Sequence, residues 1–82
     1  MSDKKKVFDW LCNWFISRNE GQELELEENF FEIGLIDSFG VIELIAELEE
    51  EFKITFDQLD FQDRRFSSIN GLTIIVSAKF DT

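Results

Sequence analysis

The sequence predicts an all-α fold, a four-helix bundle of three main helices and one short helix with a long first loop. Three observations lead there. Three segments carry apolar residues at helical spacing: Val7, Leu11 and Trp14, then Val41, Leu44 and Leu48, then Ile69, Leu72 and Val76. The chain contains no proline to break them. The strand-like alternation Glu23-Leu24-Glu25-Leu26-Glu27 has only the short Ile54-Thr55-Phe56 as a possible partner, too little for a sheet.

The first helix is expected over roughly Asp3 to Arg18, capped by Ser2 or Asp3, with Gly21 just past its end. Lys4, Lys5 and Lys6 sit at the end where the helix dipole disfavours cations, so the first turn is prone to fraying. The stretch GQELELEENFFEIGLI reads as an ordered loop pinned by Leu24, Leu26, Phe30 and Phe31. The second helix is expected from Ser38 to about Phe52, and Asp57 can cap a short third helix through Leu59 and Phe61. In the last segment Ile74-Ile75-Val76 has strand propensity, but Ser67 or Ser68 as a cap before Ile69, Leu72 and Val76 favours helix.

At 82 residues the chain is expected to form a single domain over 1–82, and ten Phe with two Trp supply its core. With 44% apolar residues, disorder is not expected. No apolar run approaches the ~20 residues of a membrane span, and the N-terminus lacks a signal-peptide core, so the cytoplasm is the expected location. The single Cys12, set among Trp10, Leu11, Trp14 and Phe15, reads as a small apolar side chain. The absence of histidine removes the usual acid–base and zinc chemistry, and the Asp57, Asp60 and Asp63 series lacks calcium-loop spacing. Neither an enzyme nor a metal site is expected. A net charge of −10 repels nucleic acid and anionic lipid and attracts basic partners.

On a helical wheel Val41, Leu44, Ile45, Leu48 and Phe52 fall within about 100°, the width of a core-facing stripe. Phe39, Ile42 and Ala46 form a second stripe, flanked by Glu49 on one side and by Glu43 and Glu50 on the other. Either the loop carrying Leu35 and Ile36 covers this stripe, or it stays exposed as a docking face. At the helix start Asp37-Ser38 also reads two ways. Asp and Ser are common caps, although the capping-box acid is missing, with Gly40 and Val41 where it would stand. Alternatively, a phosphodiester on the Ser38 hydroxyl would lie at the positive end of the helix, with Gly40 allowing a close approach.

Gly34-Leu35-Ile36-Asp37-Ser38-Phe39, followed by Glu43-Leu44 and Leu48-Glu49-Glu50-Glu51-Phe52, resembles the phosphopantetheine attachment region of acyl carrier proteins. The similarity extends to Phe30-Phe31-Glu32-Ile33-Gly34 and to the closing Ser68-Ile69 and Leu72. It implies a stand-alone carrier that takes 4′-phosphopantetheine on Ser38 from coenzyme A through a phosphopantetheinyl transferase, and holds an acyl or aminoacyl thioester. In that resemblance Asp37 caps the helix or positions the transferase-bound state. Phe39, Ile42, Glu43, Ala46, Glu49 and Glu50 face the basic docking surfaces of loading and processing enzymes, the carrier acting as a monomer. Phe39, Gly40 and Ala46 depart from the commonest fatty-acid pattern, and the tail from Phe61 to Ile69 is reminiscent of D-alanyl carrier proteins. Fatty acid biosynthesis, D-alanylation and specialised metabolism all remain open as pathways. The rival from another class is an unmodified acidic helical adaptor for a basic protein, with Ser38 as a plain cap worth about 1 kcal/mol.

Overall fold

Each segment with helical spacing is a helix in the computed structural model, which describes residues 3–21 and 23–81. Helix α1 spans Asp3–Arg18, α2 Ser38–Phe52, α3 Gln58–Gln62 and α4 Ile69–Ala78, with 3-10 turns at Arg64–Ser67 and Lys79–Asp81. No strand forms among the described residues. Ser2, one of the two expected caps of α1, lies outside them.

The expected stripes supply the core. Helix α1 buries Val7, Leu11, Trp14 and Phe15, α2 buries Leu44 and Leu48, and α4 buries Ile69, Leu72, Ile75 and Val76 in one cluster with Phe30. Val41, Ile45 and Phe52 pack against that cluster half-buried. A fully buried side chain of this size contributes about 1.5–3 kcal/mol, so the fifteen buried apolar residues among those described decide which helix faces turn inward. The ambiguous last segment is helical because helical spacing brings Ile69, Leu72, Ile75 and Val76 onto one face turned to the core. Four apolar residues of α4 are buried, and the hydroxyl of its buried Thr73 donates to the Ile69 carbonyl at 2.8 Å.

The long first loop holds its shape through backbone bonds to distant segments. The Phe30 N–H donates to the Ser67 carbonyl at 2.8 Å, and the Asn70 N–H to the Leu26 carbonyl at 3.0 Å. The Asn19 side-chain amide donates to the carbonyls of Phe15 and Leu35, each at 3.0 Å, and so fixes the stretch entering α2. Phe30 is fully buried, with its ring 5.1 Å from that of Phe15. Phe31 is not the pin expected of it: it is exposed and only flanks Phe30. Phe30 takes the core position and leaves Phe31 at the surface.

The short α3 begins with a reciprocal capping box. Asp57 Oδ1 accepts from the Asp60 N–H at 3.1 Å, and Asp60 Oδ2 accepts from the Asp57 N–H at 2.8 Å. Partial burial pushes the Asp60 carboxyl up, but hydrogen bonds from Lys79 and from backbone, with the Lys79 charge, hold it below its ordinary 3.8. Hydrogen bonds from the Arg65 side chain and backbone hold the Asp63 carboxyl well below its ordinary value, at about 2. Cys12 is half-buried, and burial together with the Asp9 charge pushes its thiol up. That makes it an apolar packing residue with little thiolate character. No helix among the described residues is long and apolar enough to cross a membrane, and no cluster of potential metal ligands occurs among them.

Candidate functional site at the start of helix α2

The residue that caps α2 is Asp37. Its backbone is extended, its Oδ1 accepts from the Gly40 N–H at 2.7 Å, and its carbonyl takes the first helical bond from the Val41 N–H. Ser38 is therefore the first helical residue. Its hydroxyl is exposed and has no partner among the described residues. This corrects the plain-cap reading of Ser38, because the cap position is already filled one residue earlier.

Gly40 also has a different reason from the one its neighbours suggested. A Cβ there would meet Ile36 Cγ1 at 2.8 Å and Asp37 Oδ1 at 3.2 Å. The glycine makes room for the chain's own Ile36 and for the cap. Leu35 and Ile36 are themselves buried in the core, so they do not cover the second stripe of α2. Phe39 remains 79% exposed and Ile42 64% exposed, with Ala46 exposed beside them. Of the two readings left open, the structure shows the uncovered one.

The flanking acids differ in what they meet. Glu50 is exposed and has no partner among the described residues. Glu43 pairs with Arg18 at 2.9 Å. Glu49 turns toward the segment after α2, where its Oε2 accepts from the Phe56 N–H at 2.9 Å, and is half-buried. Sequence reasoning passed over three residues here. Arg18, at the end of α1, lies 4.2 Å over the Trp14 ring and also reaches Glu47, and the Trp14 indole N–H donates to Glu47 at 3.1 Å. Glu47 stands four residues after Glu43, a spacing that places both acids on one side of the helix. Nothing in the sequence places Arg18 against them, because that contact depends on how α1 packs along α2.

A cleft of about 370 Å³ lies beside the helix start, bounded by Trp14, Arg18 and Asn19 on one side and Asp37 and Gly40 on the other. A larger groove of about 970 Å³ runs between the first turns of α1 and α4, and none of its lining residues belongs to α2. The N–H groups of Ser38 and Phe39 have no acceptor among the described residues, as expected for a first turn whose cap reaches only the third amide. An exposed hydroxyl beside free amides and the positive helix end suits a covalently attached phosphodiester.

The family model for the phosphopantetheine attachment site matches residues 16–74, a span that includes this helix start. The chain belongs to that carrier family. Members hold 4′-phosphopantetheine covalently on a serine, act as carriers and not as catalysts, and work with phosphopantetheinyl transferases and loading enzymes. This carrier is 31% identical over 72 residues to the D-alanyl carrier protein of Streptococcus equi subsp. zooepidemicus (strain MGCS10565), a match covering 88% of this chain and 87% of that protein. It is 29% identical over 72 residues to that of Bacillus velezensis, covering 88% of this chain and 90% of that protein. With that of Streptococcus suis (strain 05ZYH33) it shares 38% identity over 47 residues, 57% of this carrier and only 60% of that protein's length. These relatives are D-alanyl carriers, so fatty acid biosynthesis gains no support from them. No solved structure matches the carrier.

Proposed function

We propose that the chain is a single carrier domain over 1–82, that Ser38 is its attachment residue, and that its cargo is aminoacyl, D-alanine or a close analogue. The observation that carries this is the exposed, unpartnered Ser38 hydroxyl in the first turn of α2, released from capping by Asp37. The names of the relatives support the cargo.

In the attachment step the Ser38 oxygen forms a bond to the β-phosphorus of coenzyme A, and the bond from that phosphorus to the departing adenosine 3′,5′-bisphosphate breaks. In this reading the hydroxyl proton leaves on a base of the transferase, since the chain has no histidine to take it. Asp37 keeps the first turn formed, so the free amides of Ser38 and Phe39 face the new phosphate. When bound, the arm supplies a terminal thiol that carries the cargo as a thioester. Exposed Phe39, Ile42 and Ala46, with Glu43 and Glu50 beside them, offer loading enzymes an apolar strip edged with negative charge. Glu49 serves this face less directly, being bonded to the Phe56 amide. The chain works as a monomer in the cytoplasm.

Incubation with coenzyme A and a broad-specificity transferase should add one phosphopantetheine by intact mass, and Ser38→Ala should add none. The loaded form should then accept D-alanine from an adenylating ligase in preference to long-chain acyl groups. Addition that survives Ser38→Ala contradicts the assignment, and a preference for long acyl chains contradicts the cargo.

A further inference from the structure

We propose that Arg18 is a built-in cation that masks the acids of the docking face and sets how fast basic partners engage it; this rests on the docking face proposed above. One Arg18 nitrogen lies 2.9 Å from Glu43 and the other 3.5 Å from Glu47, while the guanidinium stacks 4.2 Å over Trp14. The Trp14 indole N–H donates to the same Glu47 at 3.1 Å, so the end of α1 offsets one of the two negative charges of Glu43 and Glu47 and hydrogen-bonds the second acid as well. On the other side Glu49 is bonded to the Phe56 amide. Of Glu43, Glu47, Glu49 and Glu50, only Glu50 meets no cation or N–H donor among the described residues.

The arrangement is a weak mask by construction. All three charged side chains are about half exposed, at 41% for Arg18, 57% for Glu43 and 46% for Glu47. Ion pairs in such surroundings are screened and easily exchanged. A partner's arginine or lysine can therefore take the place of Arg18, but it must first do so. Until then the field that steers a basic surface toward α2 is reduced where Arg18 lies. Arg18 is held by Glu43, Glu47 and the Trp14 ring together, which favours partners that present more than one cation. Arg18 thereby discriminates against weakly basic partners.

The test compares association rates with the transferase for the wild type, Arg18→Ala, Arg18→Lys and Lys4→Ala over a range of salt. Lys4→Ala removes the same charge at the opposite end of α1 from Arg18 and controls for net charge. Arg18→Ala should associate about threefold or more faster than the control at low ionic strength, with the gain fading toward high salt. Arg18→Lys should stay near wild type. In a Glu43→Gln/Glu47→Gln background the gain should vanish, an outcome that a merely structural role for Arg18 would not produce. A rate for Arg18→Ala no higher than that of Lys4→Ala, or a gain that persists without the two acids, overturns the proposal. Failure of the transferase to modify the wild type would count against the attachment reading instead. The same comparison is then made with a synthetic amphipathic Leu/Arg helix peptide followed by tryptophan fluorescence.

Discussion

Ser38 and Ser68 each stand at the entrance to a helix, Ser38 behind the long loop and Ser68 behind a 3-10 turn, yet their hydroxyls have opposite fates. Ser68 caps α4, with its Oγ accepting from the Gly71 N–H at 3.0 Å. Ser38 lies one step inside α2 because Asp37 takes the equivalent role toward Gly40. In both cases the capped amide belongs to a glycine, and in both a Cβ on that glycine would be crowded. At Gly71 it would meet the Arg65 backbone carbonyl at 2.1 Å, and at Gly40 the Ile36 side chain at 2.8 Å. The α4 entrance is a structural joint closed by backbone. The α2 entrance is closed by side chains and leaves one hydroxyl over.

The largest effect expected from this comparison is on the glycines. Gly71→Ala should destabilise by about 3 kcal/mol or more, since backbone must move, whereas Gly40→Ala should cost about 1 kcal/mol because Ile36 can turn and the helix gains propensity. Denaturant titration of both variants checks the order, and equal losses would erase the distinction between the two entrances. Next come the caps. Ser68→Ala and Asp37→Ala should each lose about 1 kcal/mol. Only Asp37→Ala should also slow modification by the transferase, because its loss loosens the turn that presents Ser38. The smallest effect is that of Ser38→Ala on folding, expected within about 0.5 kcal/mol of wild type by thermal unfolding. A loss of a full cap's worth would mean that Ser38 shares the capping after all.

Much of this could be read from residue order. Helical spacing placed α1, α2 and α4, and Asp57 announced α3, because those signals are local. The choice of helix over strand for Ile74-Ile75-Val76 followed from the lack of a partner strand, which the structure bears out. The parts that were not legible depend on which surfaces meet. Asp37 and Ser38 are both good caps, and which one serves depends on where the chain leaves the loop held by Asn19 and the buried Leu35 and Ile36. The inward turn of Glu49 and the pairing of Glu43 involve Phe56 and Arg18, seven and twenty-five residues away along the chain. Phe30 and Phe31 look equivalent in sequence, and only packing makes one of them core.

The most direct measurement is peptide mapping after treatment of the wild-type carrier with coenzyme A and a transferase. The chain offers six serines, at positions 2, 17, 38, 67, 68 and 77, so the location of the group is informative in itself. The account predicts phosphopantetheine on the peptide holding Ser38 and on no other, unchanged in Ser68→Ala. Phosphopantetheine on a different serine, or none under conditions that modify a known carrier, would contradict it.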